Sequence, residues 1–130
     1  RSCEAFGVDA IIIPNDRSVD ITGTVVKASV GTIEKVKIIK VTNLNNTIKK
    51  LKDYGYWVVG TDMEGTVYTD IDYKMKTALI IGNEGKGISR LVSENCDYLA
   101  KIPMSGTVNS LNASVACGIF LAEINRSRGV

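Results

Sequence analysis

The chain has 130 residues, and 45% of them are hydrophobic, which is enough to bury a full core and excludes a disordered chain. The formal net charge is +2, so charge alone neither requires nor excludes a nucleic-acid partner. No apolar stretch approaches the roughly 20 residues that span a bilayer, and no export signal is visible. We therefore expect one domain that works in the cytoplasm without a membrane.

Hydrophobic periodicity predicts strands and helices that alternate along the chain. The first residues are typical of the end of a helix with a glycine stop, so we expect further residues before Arg1 in the complete protein. The order of elements predicts an α/β domain with a mostly parallel sheet and helices on both faces. The predicted strands are 9–14, 35–41, 56–62, 77–82 and 98–103, the predicted helices are 20–30, 42–55, 87–96 and 110–128, and 66–74 is predicted to be loop with a short strand or helical turn.

Two features of the composition limit the available chemistry. The chain contains three cysteines and no histidine. Because Cys3, Cys96 and Cys117 lie far apart and form no CxxC pair, they predict free thiols, with neither a disulfide framework nor a zinc site. The absence of histidine removes Ser-His-Asp and Cys-His catalysis and the usual zinc or iron ligand sets. We expect no bound metal.

Ligands of open α/β sheets bind beyond the carboxyl ends of the strands. Glycine or proline marks three of the predicted strand ends, and polar residues stand beside them. These ends are Gly60-Thr61, Gly82-Asn83-Glu84 and Ile102-Pro103-Met104. The sequence therefore predicts a binding site where these three segments meet.

The stretch "IIGNEGKGIS" (81–90) contains three glycines and a lysine directly after an apolar run. A Walker A loop requires GxxxxGK[ST], but Gly87 follows Lys86 here, and GxGxxG is also absent. Glu84 would place a negative charge in a phosphate cradle, which opposes anion binding. A carboxylate at this position is better suited to accept hydrogen bonds from a hydroxyl, an amide or a guanidinium. A solvated turn residue is the alternative.

The stretch "IPMSGTVNSLNASVACGIF" (102–120) combines a strand end, a polar loop and the start of a helix. Asn109 and Ser110 are natural N-caps for that helix, which is the purely structural interpretation. However, Asn109, Ser110, Asn112 and Ser114 place four hydrogen-bonding side chains at one helix start, more than a cap needs. Binding of a polar ligand is the functional interpretation.

Together these stretches resemble a known family. "ALIIGNEGKGIS" and "AKIPMSGTVNSLNASVACGI" are similar to motifs two and three of the SpoU (TrmH-like) branch of the SPOUT methyltransferases. "RSCEAFGVDAIIIP" resembles the tail of motif one, and Arg1 matches the arginine of that motif. The resemblance covers essentially the whole chain. "DRSVDITGTVVKASVGTIE" further resembles the branch that modifies a guanosine of 23S rRNA.

The resemblance implies the fold and the activity. Family members use S-adenosyl-L-methionine (AdoMet) to methylate ribose 2′-hydroxyls of rRNA or tRNA, and their α/β sheet carries a deep C-terminal trefoil knot. They form homodimers, and many carry a separate N-terminal RNA-binding domain. We therefore expect residues 1–130 to be the catalytic domain of an RNA 2′-O-methyltransferase. A tRNA enzyme of the same family and a non-catalytic RNA-binding module are the alternatives.

The resemblance also implies roles for individual residues. The catalytic set is Arg1, Glu84, Ser110 and Asn112, with Asn109 as a further candidate. Because the guanidinium pKa lies far above neutral pH, keeping Arg1 neutral at pH 7 would cost on the order of 8 kcal/mol. A charged Arg1 that stabilises the developing alkoxide is therefore an alternative to a literal base. The residues implied for AdoMet are Gly60, Thr61, Gly82, Ile102 and Leu111, with Met104 and Ser114 nearby.

Two other expectations concern competing functions and the RNA surface. A Rossmann-like oxidoreductase would need a glycine fingerprint after the first strand, where "PNDRS" stands instead. A phosphate-binding face could be formed by basic residues, with scattered solubilising charge as the alternative. The basic candidates are Arg17, Lys27, Lys35, Lys37 and Arg90.

Overall fold

In the computed structural model, the chain folds into two compact units, Arg1–Leu44 and Asn45–Val130. The helix predicted at 20–30 lies outside the described residues, as do three of the basic candidates, Arg17, Lys27 and Lys35. The structure describes residues 5–14, 37–82, 87–107 and 111–129.

The described part of the first unit contains a parallel pair of strands. Strand β1 is Ala10–Pro14 and strand β2 is Lys37–Val41, with Ile12 opposite Ile39. Gly7 has a φ of 71°, a left-handed value that glycine adopts without strain, and it precedes β1 as the predicted glycine stop. The first two predicted strands are therefore confirmed.

The second unit contains a three-stranded parallel sheet in the order β4-β3-β5. Together with β1 and β2, it confirms an α/β fold with parallel strands. Helices on both faces and the trefoil knot stay predictions. The elements are α1 (Leu44–Asp53), β3 (Trp57–Val67), a 3₁₀ turn (Tyr68–Asp70), β4 (Thr77–Ile80), α2 (Arg90–Glu94), β5 (Tyr98–Lys101) and α3 (Ala113–Ser127).

The hydrophobic core of the second unit lies between the sheet and its helices. Val58 and Val59 of β3 are fully buried, as expected for the central strand of a parallel sheet. Phe120 of α3 is 2% exposed and packs edge-to-face on Tyr68, with ring centroids 5.6 Å apart. Among the described residues, no helix has the length and apolar character needed to cross a membrane.

Strand β3 is longer than the pattern predicts. The glycine and aspartate after Val59 predict a turn near residue 62, but pairing with β5 resumes beyond it, and Thr61 and Thr66 both lie opposite Ala100. The intervening residues, Asp62–Gly65, form a bulge. Gly65 explains the continuation, because an added Cβ would lie 2.5 Å from the backbone of Leu99, so only glycine allows β3 to return to β5. The predicted end of this strand was therefore wrong.

The ends of the helices are set by capping groups and glycines. Helix α1 ends before Gly55, whose φ is 91°, as predicted. Helix α2 is shorter than predicted, because the Ser89 hydroxyl caps it at 3.2 Å from the Val92 nitrogen and Gly87 has a φ of 70°. The predicted strands at 77–82 and 98–103 are confirmed with shorter bounds.

The end of α3 is tied to the segment that enters β4. The Arg128 guanidinium donates to the Tyr73 carbonyl at 2.8 Å and to the Met75 carbonyl at 2.5 Å. Within α3, the buried Glu123 carboxylate accepts two hydrogen bonds from Arg126, at 2.6 and 2.9 Å, and these lower its pKa. The Arg128 contacts therefore tie the end of α3 to residues 73–75, while the Glu123–Arg126 pair lies within the helix.

Tyr73 makes the stability of this unit sensitive to alkaline pH. Its ring is fully buried, and its hydroxyl donates to the Tyr68 carbonyl at 2.6 Å. Burial, followed by the charge of Glu123, raises the pKa of Tyr73 from 10.0 to about 12. The unfolded chain therefore loses this proton before the folded protein does, so the free energy of unfolding should fall as the pH rises from about 10 to about 12.

Urea unfolding at stepped pH values tests this expectation, with Tyr73→Phe as the matched control. Below pH 10 the variant should be less stable by about 0.5–1.5 kcal/mol, the usual net contribution of one hydrogen bond. This difference should narrow between pH 10 and 12, since Phe cannot ionise. A difference that stays constant over this range would contradict the expectation.

Candidate functional site

Strands β4 and β5 end beside β3 near the start of its bulge. Gly60 lies opposite Ile80 of β4 and opposite Leu99 of β5. Thr61 follows Gly60, Gly82 comes two residues after the end of β4, and Ile102 directly follows β5. The three segments that the sequence singles out therefore lie on one side of the sheet, although β3 continues past Thr61, and we call this region the carboxyl edge.

A hydrogen bond joins two of these strand ends. The Gly82 nitrogen donates to the Thr61 hydroxyl at 3.2 Å across the β3–β4 junction. This N–H group is therefore already paired within the protein. If Gly82 offers backbone to a ligand, it must do so through its carbonyl oxygen or through the close approach that its missing side chain allows.

Gly82 also packs directly against the residues that follow the 83–86 segment. An added Cβ at Gly82 would lie 2.5 Å from the Gly87 carbonyl carbon and 2.6 Å from the Ile88 nitrogen. Both are backbone atoms, which cannot rotate away. We call this contact of Gly82 with Gly87–Ile88 the glycine pinch. It brings together Gly82 and Gly87, the described residues on either side of 83–86.

The glycine pinch contacts β3 at Gly60, through the side chain of Ile88. A Cβ at Gly60 would lie 2.6 Å from the Cys96 sulfur and 2.8 Å from Ile88 Cδ1, so these two side chains cover the glycine. The Cys96 thiol donates to the Val92 carbonyl at 3.3 Å. Burial, and then the nearby Asp97 carboxylate, raise the pKa of this thiol. Cys96 is therefore protonated at neutral pH and serves packing, in line with the predicted free thiol.

The start of α3 differs from the predicted one. Helix α3 begins at Ala113, and its N-cap is Asn112 instead of Asn109 or Ser110. The Asn112 carbonyl oxygen accepts from the Ser114 nitrogen at 2.9 Å, the Ser114 hydroxyl at 2.6 Å and the Val115 nitrogen at 3.3 Å. Any asparagine two or three residues ahead of open N–H groups can cap, and the pattern did not distinguish these positions.

The remaining site candidates divide into described and undescribed residues. Met104 is 39% exposed in the segment after β5, while Ile102 and Leu111 are half-buried. Nothing in the described contacts joins Met104, Leu111 or Ser114 to the pinch. Arg1, Glu84, Asn109 and Ser110 lie outside the described residues.

The sequence contains the glycines that form the pinch, but their spacing alone does not predict the contact. The spacing of Gly82 and Gly87 was compared only with that of a phosphate-binding loop, apart from the AdoMet contact that the resemblance implies for Gly82. The contributions of Ile88 and Cys96 at Gly60 were missed, because neither local periodicity nor spacing indicates which side chain covers a buried glycine. Within the described residues, no group of acidic and cysteine side chains is suited to hold a metal ion.

The chain matches one family model over most of its length. Residues 1–122 fit the SpoU rRNA Methylase family. A protein of Staphylococcus saprophyticus assigned to the TrmH family of tRNA/rRNA methyltransferases is 53% identical over 129 residues, which are 98% of this chain and 52% of that protein. A Staphylococcus aureus protein of the same assignment is 54% identical over 129 residues. The chain spans about half the length of the curated relatives it matches.

Solved structures show the same similarity. The SpoU methyltransferase AviRb from Streptomyces viridochromogenes, solved with AdoMet, has a TM-score of 0.89 at 30% identity, covering 98% of this chain and 53% of that one. The A. aeolicus TrmH/SpoU tRNA modifying enzyme has a TM-score of 0.87 at 31% identity, covering 98% and 66%. The AdoMet-bound rRNA methyltransferase from Sinorhizobium meliloti has a TM-score of 0.88 at 32% identity, covering 97% and 49%. The chain belongs to the SpoU (TrmH-like) family of the SPOUT superfamily.

Proposed function

We propose that the protein methylates a ribose 2′-hydroxyl of RNA with AdoMet as methyl donor, and that residues 1–130 form its catalytic domain. The observation that carries the proposal is the meeting of the motif-bearing strand ends, Gly60-Thr61, Gly82 and Ile102, at one carboxyl edge. Parallel α/β sheets bind their ligands at this edge. Membership of the family and the AdoMet-bound relatives supply the identity of the ligand.

The described residues fit AdoMet. Ile81 and Ile102 flank β3 at the carboxyl edge, and both are half-buried, so each keeps apolar surface that an adenine ring could cover. Residues 102–104, directly after β5, belong to no helix or strand, which leaves main-chain groups outside a regular hydrogen-bond ladder. A neutral or positively charged ligand suits this edge better than a nucleotide phosphate, because the adjoining segment carries Glu84.

In this mechanism the protein must polarise and position the ribose 2′-hydroxyl of the RNA, and it needs to do little else. When bound, AdoMet supplies the methyl group on its sulfonium, so no metal is needed. Arg1, kept charged, stabilises the negative charge that develops on the ribose oxygen as its proton passes to water and the oxygen takes the methyl group. Glu84, a hydrogen-bond acceptor, belongs to the same catalytic set, and Ser110 and Asn112 orient the ribose.

Asn112 can both cap α3 and take part in catalysis. Its carbonyl oxygen is fixed by the Ser114 and Val115 donors, which in turn fixes the direction of its amide nitrogen. This amide is then a preoriented donor at the helix start. We propose that it donates to an oxygen of the ribose that is methylated.

Replacing Asn112 with aspartate separates the two roles. Asn112→Asp keeps an oxygen that accepts from the helix N–H groups, so stability should stay within about 0.5 kcal/mol or rise, because a negative charge suits a helix N-terminus. It removes the amide donor, so methyl transfer should fall by about 10²-fold. Asn112→Ala should lose both activity and about 1 kcal/mol of stability. Full activity in the aspartate variant would show that Asn112 acts only as the helix cap and takes no part in catalysis.

The RNA target, the oligomeric state and the knot are also proposals. A guanosine of 23S rRNA is our first choice of target, supported by the resemblance of residues 16–34 to that branch. A tRNA target is the second, and it is favoured by the similarity to the A. aeolicus tRNA modifying enzyme. We further propose a homodimer and a trefoil knot, since the family resemblance implies both.

Calorimetry tests the proposal before any RNA is known. Full-length protein should bind AdoMet in the micromolar range that is usual for enzyme substrates and should show no heat with NAD. Binding of NAD in place of AdoMet would support a dinucleotide enzyme. AdoMet binding without methyl transfer to any cellular RNA would favour the non-catalytic module.

A further inference from the structure

Aromatic side chains cluster at the amino end of the three-stranded sheet, opposite the carboxyl edge. Trp57 is the first residue of β3 and Tyr98 the first of β5. Val59 lies opposite Tyr98, which places Trp57 and Tyr98 on the same face, and their ring centroids are 6.1 Å apart. Tyr54 and Tyr56 precede Trp57 in the turn after α1. We call Tyr54, Tyr56, Trp57 and Tyr98 the aromatic edge.

The aromatic edge is open to solvent. Tyr54 is 73% exposed, Trp57 46% and Tyr98 40%, although aromatic rings contribute large apolar areas when they are buried. The core beneath does not need them, because Val58 and Val59 are already fully buried. Exposed apolar groups that cluster in this way mark interaction surfaces.

One lysine contacts a ring of the aromatic edge, and two more precede it at the end of α1. The Lys76 ammonium lies 5.6 Å from the centroid of the Tyr56 ring, within the range of a cation–π contact. Lys50 and Lys52 occupy the last turn of α1, which leads into the aromatic edge, and Asp53 is the acidic residue beside them. The chemistry of this surface is therefore aromatic and basic.

The acidic residue next to Tyr98, Asp97, is already paired within the protein. The Asp97 carboxylate accepts from the Val58 nitrogen at 2.8 Å and lies 3.4 Å from the Lys52 ammonium. It therefore offers little repulsion to an approaching anion. Lys50 and Lys76 have no such carboxylate among the ion pairs of the described residues.

We propose that the aromatic edge binds a single-stranded segment of the RNA substrate. Bases stack on Trp57 and Tyr98, and the phosphates lie near Lys50 and Lys76. RNA fits this surface better than a protein does, because lysine is depleted from protein–protein interfaces. The proposal rests on the proposed function only in taking the substrate to be RNA.

The position of the aromatic edge adds a size requirement to the substrate. Thr61 at the carboxyl edge lies four residues after Trp57 along β3, a rise of about 13 Å. RNA that contacts both ends of the sheet must therefore extend several nucleotides beyond the methylated one. Short substrates would lose the contacts at the aromatic edge.

Fluorescence anisotropy of the full-length protein with a labelled ten-nucleotide oligouridine tests the proposal. The double variant Trp57→Leu/Tyr98→Leu keeps apolar side chains but lacks flat rings, and its Kd should rise at least about tenfold. Lys76→Gln should lower the slope of log K against log salt by about 0.7. Leu91→Ala, which removes an exposed apolar side chain from α2, should bind the oligouridine as wild type does.

A second readout uses the wild-type ring itself. Trp57 is the only tryptophan among these 130 residues, and its fluorescence, isolated by subtraction of a Trp57→Phe variant, should be quenched by the oligouridine. No quenching, or an unchanged Kd in the double variant, would overturn the proposal and indicate that another protein surface covers this edge. AdoMet calorimetry on the same samples keeps the two proposals apart, since the double variant should bind AdoMet normally even if the RNA surface lies elsewhere.

Discussion

Gly82→Ala should weaken AdoMet binding at least about tenfold. The added methyl group would lie 2.5 Å from the Gly87 carbonyl carbon and 2.6 Å from the Ile88 nitrogen, so the backbone itself must move. Overpacking of this kind costs about 1–3 kcal/mol, and opening the pinch would also disturb the 3.2 Å bond from Gly82 to Thr61. We expect calorimetry to show at least a tenfold loss of AdoMet affinity.

Two matched glycine variants separate this steric effect from a general response to alanine. Gly106→Ala has open space for the methyl group and no left-handed φ, so its stability and AdoMet affinity should stay near those of wild type. Gly60→Ala should fall between the two, because its methyl would meet the Cys96 and Ile88 side chains, which can partly relocate. If Gly82→Ala binds AdoMet as tightly as Gly106→Ala does, the pinch does not shape the cofactor site.

Arg1→Ala should reduce methyl transfer by at least about 10²–10³-fold while AdoMet affinity changes little. The expected loss follows from removing the positive charge beside the oxygen that becomes negative in the transition state. Arg1→Lys should keep a measurable fraction of the rate, because it retains a charge but loses the planar, bidentate guanidinium. Single-turnover kinetics on the full-length protein would measure both variants.

The role of Arg1 is separated from a structural one by the binding data. If AdoMet affinity falls together with activity in Arg1→Ala, the arginine supports the fold of the site instead of the reaction. A rate in Arg1→Lys as low as in Arg1→Ala would show that charge alone is insufficient and that the guanidinium geometry carries the effect.

The elements of the fold were largely predictable because short-range patterns determine them. Apolar runs located β1, β3, β4 and β5, and left-handed glycines at Gly7 and Gly55 marked the turn before β1 and the end of α1. The continuation of β3 beyond Thr61 was not predictable. It depends on the close approach of Gly65 to Leu99, a contact between residues far apart in sequence.

The candidate site was predictable as a location more than as a set of contacts. The rule for parallel sheets correctly brought Gly60, Gly82 and Ile102 to one edge. It could not show that the Gly82 nitrogen is paired with Thr61, or that Asn112 is the cap of α3. The Thr61 partner is set by tertiary geometry, and the choice among neighbouring cap residues depends on where the helix starts; periodicity encodes neither. The roles of Arg1, Glu84 and Ser110 stay predictions from the family resemblance.

The central claim, methylation of a ribose 2′-hydroxyl, has one direct measurement. RNA from a strain that lacks the gene is incubated with full-length protein and AdoMet carrying a tritiated methyl group, and the RNA is then digested with alkali. Alkali cleaves RNA through the free 2′-hydroxyl, so a 2′-O-methyl group blocks cleavage at its own nucleotide. The account predicts label in alkali-resistant dinucleotides. Label released entirely as mononucleotides would place the methyl group on a base and contradict it.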